Sequence, residues 1–192
     1  MSNAVTVARS LVLTDDTADR TTVSATLGLF GAAALRYAFD AGVRVMPLKT
    51  GESYRSASAA LARLGIDVDS WPAPPAGLFV VEERMVYLRS RSPMTVAHEF
   101  GHALDCALGG GIYRSGIDPE LRRLFEDARA FVTPYAATAI DEYFAESLRA
   151  YVEANDATSH WPRATKTRLQ RVDPKLFELI DNLFRREFRD AA

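Results

Sequence analysis

A chain of 192 residues, 48% of them hydrophobic, is long enough to bury a substantial core and fits one compact domain better than two. Its 23 basic and 25 acidic residues nearly cancel, so no broad positive field exists to attract phosphates or anionic lipid, and nucleic acid is not an expected partner. Cys106 is the only cysteine, which excludes an intrachain disulfide and the multi-thiolate sets of structural zinc sites, so any metal must take nitrogen and oxygen ligands.

The first twenty residues, "MSNAVTVARSLVLTDDTADR", lack a basic lead-in and a long apolar run, and no stretch is long enough to span a bilayer. They are expected to form a flexible arm ahead of a single domain over 21–192. The default location is the cytoplasm, while export by a route invisible in the sequence stays open.

Residues 27–41, "LGLFGAAALRYAFDA", have apolar positions at helical spacing and predict a helix ending at Gly42. "VRVMPL" reads as a short strand, and "SYRSASAALARLGI" as a helix closed by Gly65. After the proline-rich loop "DSWPAPPAG", the stretch "LFVVEERMVYLR" holds two β-branched and aromatic runs around "EER", which suggests a hairpin. The remainder is helical. "SPMTVAHEFGHALDCALGGG" starts with Ser92 as N-cap and Pro93 at the first position. "DPELRRLFEDARAFV" carries an apolar stripe of Leu121, Leu124, Phe125, Ala128 and Phe131. Thr138 and Asp141 resemble a capping box opening "AIDEYFAESLRAYVEA". A last helix from Asp173 and Pro174 is expected to bury Leu176, Ile180, Leu183 and Phe184. The expected class is therefore α+β, mainly helical, with a small sheet in the first half.

The segment "TVAHEFGHALD" holds two of the chain's three histidines. On a helix, His98 and His102 project from one face and can share an ion, while Glu99, about 100° around, reaches a ligand of that ion instead. This is the H-E-x-x-H pattern. A zinc ion (Zn2+) in such a site lowers the pKa of its water towards about 7, and the glutamate takes the proton. The opposing reading is two histidines satisfied inside an ordinary helix. The flanking Ala97, Phe100, Gly101, Leu104 and Leu108 supply the core face that the motif requires.

A catalytic zinc takes three protein ligands, so a third must come from elsewhere. His160, beside Trp161 and Pro162, reads as a surface or packing residue. Glu142 and Glu146, four apart in "DEYFAES", are better candidates: one could bind the metal while the other holds a histidine ring. A solvated acidic helix face is the alternative. Tyr135, just upstream, either donates a hydrogen bond to the oxyanion of an attacked carbonyl or plugs a turn.

"AHEFGHALD", then "PYAATAIDEYFAESLRAYV" and "DPKLFELIDNLF", resemble the catalytic domain of the anthrax lethal factor family of zinc metallopeptidases, which includes the Pro-Pro endopeptidases. The resemblance runs from about residue 30 onward and is strongest over 94–152. It implies a zincin-like metallopeptidase domain with His98, His102 and Glu142 as zinc ligands. Glu99 would then be the general base, Tyr135 the oxyanion donor and Glu146 the partner of a ligand histidine. It also implies a peptide or protein substrate lying as an extended strand, antiparallel along "MVYLR" as sheet edge. That strand could equally be a covered sheet margin. The toxin's targeting domains have no counterpart in this sequence.

The expected activity is zinc-dependent endopeptidase. A cytoplasmic regulatory protease that cleaves a repressor, and a binding module that holds metal without turnover, are the competing readings. The latter would have no use for Glu99 or Tyr135.

Overall fold

The computed structural model describes residues 3–159 and 163–190; His160 lies outside them. In place of a loose arm, the N-terminal residues carry α1 (Asn3–Leu11) and the opening of α2 (Thr17–Leu27). Ala4, Val7, Ala8 and Leu11 recur at the spacing of a helix face, and Ala8 and Leu11 are fully buried in the core. The intervening Thr6, Arg9 and Ser10 mask that stripe in a linear reading.

The helix expected over 27–41 is divided. A 3-10 turn at Gly28–Phe30 leads into α3 (Gly31–Asp40), and Gly31 takes a φ of 81°, which only glycine adopts without strain. Strand β1 (Arg44–Pro47) follows. The next predicted helix also breaks, into α4 (Tyr54–Ala57) and α5 (Ala59–Leu64), because Ser58 is extended and turns its hydroxyl to the Leu61 amide. Gly65 closes α5 in the left-handed region, as expected.

The hairpin around "EER" is present as β2 (Gly77–Val80) and β3 (Met85–Leu88), with Arg84 supplying the left-handed turn residue at φ 51°. The three strands lie in the order β1-β3-β2, β1 parallel and β2 antiparallel to β3. This corrects the expectation that "MVYLR" forms the sheet edge. Strand β3 is hydrogen-bonded on both sides, because it returns alongside β1, and the edge next to the candidate site is β2.

Helix α6 (Pro93–Leu108) starts as expected, with the Ser92 hydroxyl accepting from the Thr95 amide. Its Val96, Ala97, Phe100, Ala103 and Leu104 are buried in the main apolar cluster. After α7 (Arg114–Ile117), α8 (Pro119–Asp127) stops earlier than predicted, since Ala128 is extended. Phe131 still packs on Phe125 and Tyr143, with ring centroids 5.9 and 5.8 Å apart. Helix α9 (Ile140–Tyr151) begins at Ala139 without a side-chain cap. Thr138 does not form the expected capping box; its hydroxyl donates to the Tyr135 carbonyl in the preceding 3-10 turn.

The last described elements are α10 (Lys166–Val172) and α11 (Pro174–Asn182), capped by Thr165 and Asp173, a π-helical turn at Leu183–Glu187 and the short α12 (Phe188–Asp190). Leu176, Ile180 and Leu183 are fully buried and Phe184 partly so. The fold is α+β and mainly helical with one small sheet. No helix among the described residues is long and apolar enough to cross a membrane.

Candidate metal centre

Helices α6 and α9 lie in close contact at Gly101, where an added Cβ would stand 3.0 Å from both Cα and O of Ala145. This approach brings the face bearing His98 and His102 against the one bearing Glu142 and Glu146. Nε2 of His98 lies 3.2 Å from Nε2 of His102 and 3.1 Å from Oε2 of Glu142. The His102 Nε2 to Glu142 Oε2 distance is 3.3 Å. Donors 2.0–2.1 Å from a tetrahedral zinc are separated by about 3.3 Å, so this triangle has the size of one face of such a site.

The donor chemistry fits a cation for a second reason. Glu142 Oε2 is buried without a well-aligned hydrogen-bond donor among the described residues, although two ring nitrogens stand beside it. A buried carboxylate oxygen left so is costly unless a positive group meets it. Burial favours the neutral acid, yet the His102 and His98 rings hold the Glu142 carboxyl far below its usual range.

Glu146 stands behind this triangle. Its Oε1 is 3.0 Å from Nδ1 of His98, on the far side of the ring from the three donors. Arg149, fully buried, grips the same carboxylate through Nε at 2.8 Å and Nη2 at 2.9 Å, and the Thr133 hydroxyl donates to Oε2 at 2.6 Å. Against the opposing effect of burial, His98 and Arg149 hold the Glu146 carboxyl down to about 2. With Glu146 ionised, His98 keeps a proton at Nδ1, so the neutral form of the ring would offer its lone pair at Nε2. His102 Nδ1, by contrast, is buried without a hydrogen-bond partner among the described residues.

Glu99 lies in the same cleft as the triangle, where burial raises its carboxyl above the usual range and the two histidines oppose the shift. The Tyr135 hydroxyl donates to Oε1 of Glu142 at 3.0 Å, and its ring lies 5.4 Å from that of His98. Burial and the Glu142 charge raise its phenol, so it remains a proton donor across ordinary pH. All six sequence-derived residues therefore meet at one place.

The cleft, about 490 Å³, is bordered by Trp71, β2 and Thr95 as well as by these groups. Sequence reasoning overlooked Arg149, Thr133, Tyr113 and Gly77. Arg149 was findable, since an arginine three residues after Glu146 on one helix pairs with it. Tyr113 reaches the cleft through a loop, with its ring 5.7 Å from His102, and no spacing rule marks it.

No protein-family model matches this chain, and no curated protein sequence does. Its fold is similar to that of the Pro-Pro endopeptidase PPEP-2 from Paenibacillus alvei, with a TM-score of 0.64 over 92% of this chain and 99% of that one. At 20% sequence identity, the likeness establishes a shared fold.

Proposed function

We propose that this chain is a zinc-dependent endopeptidase. The observation that carries the reading is the convergence of His98 Nε2, His102 Nε2 and Glu142 Oε2, the last buried without a well-aligned donor among the described residues. Zinc held by these three donors would keep an open position, polarise a carbonyl there and activate a water. A purely structural site would be closed by a fourth protein ligand, and no group of four is brought together among the described residues.

The chain's own groups then divide the work. An extended peptide pairs along the outer edge of β2, which borders the cleft. Glu99 takes the proton of the attacking water and passes it to the leaving amine, a role suited to a carboxyl raised by burial. Tyr135 donates to the carbonyl oxygen as negative charge develops on it. Glu146 fixes the His98 tautomer, and Arg149 balances the buried carboxylate.

The fold shared with a Pro-Pro endopeptidase makes a Pro-Pro bond the first to test. The experiment is cleavage of a peptide library containing such bonds by zinc-loaded and metal-free protein, with Glu99→Gln as control. Zinc-dependent cleavage that falls about 10²- to 10⁴-fold in the variant, with zinc retained, is expected. Bound zinc without cleavage of any peptide would leave a metal-holding binding module.

A further inference from the structure

Gly77 opens β2 and is buried against α6. A Cβ there would stand 2.5 Å from Cγ and 3.1 Å from Cδ of Glu99, and 2.8 Å from Cγ2 of Thr95. Its φ is not positive, so the backbone would accept alanine. Only the space is missing. The nearest obstructing atom lies in the stem of Glu99, not at the free end of a flexible side chain.

We propose that Gly77 is a positioning residue for Glu99. Its missing side chain lets the cleft-side edge strand and the helix bearing the base close onto each other, and this contact sets where the carboxylate stands. The inference rests on the reading of Glu99 as general base. With a side chain at 77, either the Glu99 stem rotates away or β2 lifts from α6. Both displace the base relative to a peptide paired with β2, so the chemical step suffers more than binding.

The test is Gly77→Ala in the zinc-loaded full chain, beside Gly116→Ala. An added Cβ at Gly116 meets nothing within 4 Å. The expected result is unchanged zinc content, KM within about threefold and kcat lowered about 10²-fold, the scale of a 1 Å misplacement of a reacting group. A crystal structure of the variant should show the Glu99 carboxylate moved by about 1 Å or more. An unmoved Glu99 with unchanged kcat would overturn the proposal. So would full recovery of kcat in Gly77→Ala/Thr95→Ser, which would place the effect on Thr95.

If the wild-type chain cleaves no peptide, the crystal structure still decides whether Gly77 positions Glu99, separately from the peptidase reading. If Gly77→Ala does not fold, the triple variant Gly77→Ala/Glu99→Ala/Thr95→Ser should, because both obstructing groups within 3.0 Å are gone. Failure of that triple variant to fold would also count against the proposal.

Discussion

Glu142 and Glu146 address opposite sides of one imidazole. Oε2 of Glu142 lies 3.1 Å from Nε2 of His98, and Oε1 of Glu146 lies 3.0 Å from its Nδ1. Four residues apart on α9, the two carboxylates are separated by a helical turn, and the ring of His98 stands between them. Only Glu142 also reaches His102, at 3.3 Å.

Removing the two carboxylates should therefore have unequal effects. Glu142→Ala deletes a donor of the triangle and should yield zinc to a mild chelator. Glu146→Ala leaves all three donors and should weaken zinc by about 10- to 100-fold, typical for loss of a ligand's supporting hydrogen bond. A chelator competition giving the reverse order would assign the ligand to Glu146.

Zinc uptake should release close to one proton from His98. Burial disfavours the charged ring, but the Glu142 and Glu146 carboxylates outweigh it and raise His98 from 6.5 to about 10 in the metal-free chain. Zinc requires the neutral ring, so apparent affinity should rise by about tenfold per pH unit through this window. A folded-state pKa above the unfolded one stabilises the metal-free fold fully below pH 6.5, and that contribution disappears as pH rises through about 10. Calorimetry in two buffers of unequal ionisation heat reads the proton count at pH 8. Release near zero would mean that His98 is already neutral there.

Tyr135→Phe retains the ring against His98 and removes the hydroxyl that meets Glu142 at 3.0 Å. Loss of an oxyanion donor costs about 10²- to 10³-fold in kcat. The rate should drop on this scale with KM and zinc content little altered. A change confined to KM would make Tyr135 a substrate-binding residue instead.

Gly101→Ala tests the helix contact that assembles the site. Its Cβ would press on the backbone of Ala145 at 3.0 Å, where nothing flexible can yield. Overpacking of this kind costs about 1–3 kcal/mol, against a gain of about 1 kcal/mol in helix propensity. A lower denaturation midpoint is expected, with weaker zinc binding because α9 is pushed from α6. Equal or higher stability would show that the two helices have slack at this crossing.

Much of the site is a matter of local spacing. His98, Glu99 and His102 belong to one helix that Ser92 and Pro93 start, and a helix carries residues four apart to the same side whatever surrounds it. The same holds for Glu142 and Glu146, and the apolar positions around both pairs marked the faces that pack. Where local cues competed, the linear reading failed: Ser58 broke a predicted helix by capping its own downstream turn, and Thr138 bonded backward to Tyr135 instead of forward.

What the sequence by itself determined, then, is the set of groups and their pairing along each helix, because helical periodicity is a property of the backbone. That Glu142 joins the histidine triangle while Glu146 takes the outer nitrogen of His98 was implied only by the resemblance and is set by tertiary structure, since it depends on how α9 lies on α6 at Gly101 and Ala145. Tertiary structure also decided that β2, not β3, is the sheet margin at the cleft, because strand order arises from the return of β3 alongside β1 across some forty residues of chain, a long-range pairing that no local pattern encodes.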